Sequence, residues 1–143
     1  MIFIGIDPGT ETGIGVIVGK DITLKTVKIH EAMKFIEDLV HEDRVHIRVE
    51  DARKRKWFGM NSDSKKQGAG SVKRDCTIWE DFLTDLEKQT DGLLTFEMIH
   101  PVKGSTKLDS KRFNMITGFT GRSNQHSRDA LMLVFNYKPK TIK

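Results

Sequence analysis

The chain opens on Ile2–Ile6, an almost unbroken apolar run that predicts a strand buried on both faces. Gly13–Val18 predicts a second strand, Gly19–Asp21 a turn and Ile22–Ile29 a third strand. Their short connections imply an antiparallel meander. From Glu31 to His41 the period changes, with Ala32, Phe35, Ile36 and Leu39 at helical spacing. Val45–Val49 returns to alternation and ends at Glu50. Asp51–Gly70 carries little apolar periodicity and reads as a loop bearing two aromatic residues, Trp57 and Phe58. Val72, Cys76, Trp79, Leu83 and Leu86 then mark one stripe of a long helix, and Leu93–Ile99 predicts a fifth strand closed by His100-Pro101. Asp109 or Ser110 is placed to cap a helix holding Phe113, Ile116 and Phe119. A last helix starts near Ser123 or Asn124 and carries Ala130, Leu131, Val134 and Phe135, before a basic, frayed tail. The order βββ-α-β-α-β-α-α predicts an α/β fold, a mixed five-stranded sheet flanked by helices, as a single domain over 1–143.

Composition changes this picture little. The chain has 143 residues, 37% hydrophobic and 31% charged, enough for a globular core. It has no stretch suited to spanning a membrane. The break at Asp7 after five apolar residues argues against a signal peptide. The single cysteine, Cys76, excludes an intrachain disulfide, suggests no zinc site and fits a reducing cytoplasm. Its place in an apolar stripe reads as core rather than nucleophile.

Charge changes the picture more. The formal net charge is +4 and the pI about 9.2, which favours a polyanionic partner. Between Arg48 and Arg74 nine basic residues face three acids, a local excess larger than that of the whole chain. The nine are Arg48, Arg53, Lys54, Arg55, Lys56, Lys65, Lys66, Lys73 and Arg74. A second basic stretch holds Lys103, Lys107, Lys111 and Arg112. Such runs are usually solvated surface. Beside acidic strand ends, phosphate binding explains them better.

The acids supply the candidate chemistry. Asp7 ends the first strand, Glu50 ends the fourth, and His126 and Asp129 lie three apart on one face of the last helix. Carboxylates suit hard divalent cations, and parallel strands place their carboxyl ends on one edge, where sites form. Each residue also has a plain reading: Asp7-Pro8-Gly9 as a turn, Glu50 as a strand end, His126 and Asp129 as first-turn helix residues. Together, beside basic stretches, they are harder to explain that way. A phosphate-binding G-x-x-x-x-G-K-[ST] loop is absent, because Gly19-Lys20 is followed by Asp21. An H-E-x-x-H zinc motif is absent too, because His30-Glu31 has no second histidine.

Four segments together resemble the RuvC family of Holliday-junction resolvases: GIDPGTETG, VEDAR, VKGSTKLDSK and HSRDALML. The first also occurs in actin-like, sugar-kinase and chaperone ATPases, which need a second domain to close over the nucleotide. The resemblance implies a ribonuclease-H-like fold and a homodimer that cuts four-way and other branched DNA. It implies two Mg2+ or Mn2+ ions per site, held by Asp7, Glu50, His126 and Asp129. Family members carry aspartate or histidine at the position of His126, and the softer imidazole leaves room for manganese. Lys103 and Lys111 fall near the family's basic residues at the scissile phosphate, at shorter spacing. DARKRKWFG replaces an apolar segment of the bacterial members and is similar to the shorter bacteriophage resolvases. That implies weak sequence preference, with bacterial host cytoplasm as the location of a phage-encoded enzyme. Arg53, Lys54, Arg55 and Lys56 would contact phosphates, Trp57 and Phe58 would stack on unpaired bases, and Lys65, Lys66, Lys73, Arg74, Lys107 and Arg112 would extend the basic surface. A branched-DNA-binding protein without cleavage and a YqgF-like RNA nuclease are the alternatives.

Overall fold

A computed structural model describes residues 1–54, 63–101 and 107–138, without the side chains of 63–69. Five strands form one sheet in the order β3-β2-β1-β4-β5. They are β1 (Ile2–Asp7), β2 (Glu11–Val18), β3 (Asp21–Lys28), β4 (Val45–Glu50) and β5 (Leu94–Ile99). The first three make the expected antiparallel meander. β4 runs parallel to β1, and β5 runs parallel to β4. Helices α1 (Ile29–Leu39) and α2 (Asp63–Gln89) follow β3 and β4, while α3 (Ser110–Thr117) and α4 (Gln125–Met132) follow β5.

The strand period of two divides the side chains between two cores. Ile2, Ile4 and Ile6 of β1 and Val45, Ile47 and Val49 of β4 join Ala32, Ile36, Trp79, Leu83 and Leu86 beneath α1 and α2. The opposite face gathers Phe3, Ile17, Ile22 and Leu24 around Phe113, Leu131 and Val134 from α3, α4 and the turn after it. Phe3, Gly5 and Asp7 therefore share the α4 side of β1. By the same alternation His46, Arg48 and Glu50 share it on β4.

Several boundaries differ from expectation. Helix α4 ends at Met132, so Val134 and Phe135 fall in the turn after it rather than in the helix. Among its described residues, the predicted loop over Asp51–Gly70 contains a 3-10 turn, Ala52–Lys54, and the start of α2 at Asp63. Residues 63–70, DSKKQGAG, are unreadable as helix because their sequence carries no apolar stripe. Cys76 donates from Sγ to the Glu50 carbonyl at 3.7 Å, so it stands level with the end of β4. Everything before it in α2 projects past that sheet edge, by roughly 20 Å at 1.5 Å per residue. Helix α3 stops at Gly118, a left-handed cap at φ 77°, so Phe119 leaves the helix. Phe119 folds back edge-on to Phe113, 6.1 Å between centroids, while Ile116 is exposed rather than packed. Cys76 is buried in the core as expected. Among the described residues no helix is long and apolar enough to cross a membrane.

Candidate functional site

Register brings the strand-end acids together. Ile6 pairs with Val49 across the parallel β1–β4 ladder, so Asp7 and Glu50 occupy the next position on neighbouring strands, on the same face. Thr12 is fully buried and donates from Oγ1 to the Gly9 carbonyl at 2.9 Å, which closes the turn after Asp7. The Asp51 amide donates to the Ile99 carbonyl at 2.8 Å and fixes the chain just beyond Glu50.

Glycines then let α4 down onto the sheet. A methyl group added at Gly5 would run into the Ala130 carbonyl, one at Gly13 into the His126 carbonyl, and one at Gly15 into the Leu131 backbone. Gly13 is also the register partner of Asp7. The bare backbone of β1 and β2 thus allows the first turn of α4 to sit directly over Asp7. Asn124 caps that turn, accepting at Oδ1 from the Ser127 amide at 3.0 Å and from Thr26 Oγ1 at 2.7 Å. The second bond pins the helix start to β3.

The outcome is a crowded carboxylate. His126 Nδ1 lies 3.5 Å from Asp7 Oδ2, and the Asp7 side chain is 18% exposed. Burial first, then the charges of Glu50 and Asp129, push the Asp7 pKa up from 3.8 to about 7; His126 offsets part of this. Glu50 is buried. Asp129 accepts at Oδ1 from Gln125 Nε2 at 2.7 Å and from the Lys107 amide at 3.0 Å. All four residues expected at the site therefore meet at one edge. Among the described residues, no three histidine, cysteine or acidic side chains are gathered closely enough to hold an ion as they stand. In kind, the set of three carboxylates and one imidazole fits a hard divalent cation, and a cation would relieve the repulsion that raises Asp7.

The basic residues divide. Arg53 is directed inward: Nε and Nη2 reach Asp51 at 2.8 Å each, and Nη1 reaches Glu80 at 3.0 Å and Thr77 at 3.3 Å. Asp51 is only 2% exposed, and its hydrogen bonds from Arg53 hold its carboxyl below the usual range. Arg53 thus braces the turn after β4 against α2 rather than standing open to phosphate. Lys54 is exposed, but its Nζ is tied to the Met98 carbonyl at 2.6 Å. Arg74, Lys107, Lys111 and Arg112 are exposed and Lys73 is half-buried. No hydrogen bond or ion pair joins Lys111 to the site carboxylates among the described residues. Arg55, Lys56, Trp57, Phe58 and Lys103 lie outside the described residues, as do the side chains of Lys65 and Lys66.

Sequence reasoning missed Gln125, Arg128 and the bracing role of Asp51. The G-x-G of β2 was the available signal for the close approach of α4, since glycine inside a strand marks such contacts.

No family model matches the chain, and no curated protein matches it. Among solved structures it is similar to that of T. thermophilus RuvC in complex with a Holliday junction substrate. The TM-score is 0.50 and the identity 16%, over 93% of this chain and 89% of that one. The chain therefore has a RuvC-like, ribonuclease-H-like α/β fold.

Proposed function

We propose that the chain is a metal-dependent, structure-selective DNA endonuclease that resolves four-way junctions and other branched DNA by phosphodiester hydrolysis. The observation that carries this reading is the Asp7 carboxylate, set among Glu50, Asp129 and His126 at the edge of a RuvC-like fold. Asp7, Glu50, His126 and Asp129 would hold two Mg2+ or Mn2+ ions. When bound, such ions supply Lewis-acid stabilisation of the phosphate and a water activated near neutral pH.

The chain's own residues do the rest. Asp7 is held by the tight turn at Thr12, and Glu50 by the backbone bonds that flank it. Lys107, Lys111 and Arg112, with Lys103, offer positive charge to the phosphate on the side of α3. Lys73 and Arg74, with Lys65 and Lys66, place charge along the overhanging half of α2, where it gives affinity without reading sequence. Arg55, Lys56, Trp57 and Phe58 are assigned to the branch point. A homodimer in the cytoplasm, acting in DNA recombination or repair, completes the proposal.

The test is a labelled synthetic four-way junction beside a matched linear duplex. The wild type is expected to cut the junction with Mg2+ or Mn2+ and not with chelator. Asp7→Asn should bind it but cut at least about a hundredfold more slowly. An uncut junction in every metal, or equal cutting by Asp7→Asn, overturns the reading. Binding without cutting would leave a junction-binding protein in its place.

A further inference from the structure

Asp129 uses its two carboxylate oxygens unequally. Oδ1 accepts from Gln125 Nε2 at 2.7 Å and from the Lys107 amide at 3.0 Å. A carboxylate oxygen offers about two lone-pair positions, so these two donors fill Oδ1. Among the described residues no group donates to Oδ2. Gln125 stands four residues before Asp129 on α4, half-buried, on the same helix face. Lys107 adopts φ 65°, an uncommon left-handed conformation for a residue with a Cβ, and its amide points at the carboxylate. The neighbouring residue repeats the hold: Arg128 Nε donates to the Leu108 carbonyl at 2.8 Å. Two consecutive residues of α4 thus grip two consecutive residues of the segment entering α3.

We propose that Gln125 is a positioning residue that, with the Lys107 amide, fixes Asp129 so that only Oδ2 is offered to a divalent cation. The same oxygen, Oδ1, ties the basic segment before α3 to the site. The proposal rests on the reading of Asp129 as a metal ligand. Partners that orient a ligating carboxylate typically contribute about 10–100-fold in metal affinity. Gln125 does this without touching the ion.

The experiment titrates Mn2+ into full-length, chelator-stripped protein and follows the spectrum of free aqueous Mn2+ by electron paramagnetic resonance. The variants are Gln125→Ala, Gln125→Met, Asp129→Asn and the double variant Gln125→Ala/Asp129→Asn. Both Gln125 variants should bind Mn2+ about tenfold or more weakly, because methionine keeps the length and loses the donor. In the Asp129→Asn background Gln125→Ala should add little, since no carboxylate remains to orient. Melting curves of the metal-free proteins check that each variant folds. Wild-type affinity in both single variants overturns the proposal and leaves the metal reading standing. So does a full Gln125→Ala effect without Asp129. A wild type that takes up no Mn2+ overturns both.

Discussion

Asp7 carries opposed demands, because the arrangement that suits a cation is unfavourable without one. Its carboxylate is largely withdrawn from water and faces two acids, which push its pKa from 3.8 to about 7. A pKa raised in the folded state contributes stability in full below the unfolded value, near pH 4. That contribution is lost as pH rises through about 7. In chelator, the wild type should therefore lose stability between these limits as Asp7 gives up its proton. Asp7→Asn stays neutral throughout, so it should be the more stable protein above pH 7, by roughly 4 kcal/mol, and gain nothing near pH 4. Thermal melts of the two metal-free proteins across that range measure the difference. Equal melting temperatures at pH 8 would mean that Asp7 is not under electrostatic strain. Arg53 shows the opposite economy: its charge is paired with Asp51 and Glu80.

Among the elements, α4 and the meander beneath it decide whether a site exists. Gly13→Ala adds one methyl group against the His126 carbonyl and must lift the first turn of α4 away from Asp7. The expected cost is about 1–3 kcal/mol of stability, together with loss of junction cutting. The same methyl at Gly70 meets nothing within 4 Å and replaces a helix-interior glycine, so Gly70→Ala should stabilise by roughly 0.5–1 kcal/mol. Thermal melting of the two variants reads both signs. A destabilised Gly70→Ala, or a silent Gly13→Ala, would contradict this packing. The strands were legible because each carries apolar residues on a fixed period, and the strand-end acids followed from where those runs stop. The caps at Asp109 and Asn124 were legible for the same local reason. The first third of α2 was not, because Asp63–Gly70 has no apolar stripe in its sequence to declare it. Nor was the inward turn of Arg53, which depends on Glu80 and Thr77 one helix away.

At the scale of the molecule, one chain offers one edge of carboxylates, whereas resolving a four-way junction takes two cuts in strands related by two-fold symmetry. A homodimer with isologous contacts would present two such edges related by the same symmetry. In such a dimer the N-terminal half of α2 would stand beside each carboxylate edge. Such a dimer would make cutting a paired event, and pairing could be broken one subunit at a time. A wild-type chain exchanged into dimers with excess Asp7→Asn leaves one competent site per junction. On a supercoiled plasmid that extrudes a cruciform, wild-type dimers should give mainly linear product through two cuts within one binding event. Mixed dimers should shift the product to nicked circle at the same amount of wild-type chain. If the chains act singly, adding Asp7→Asn would slow cutting by competition. The balance of nicked to linear product would then match that of wild type diluted alone, and the paired-site reading would fail.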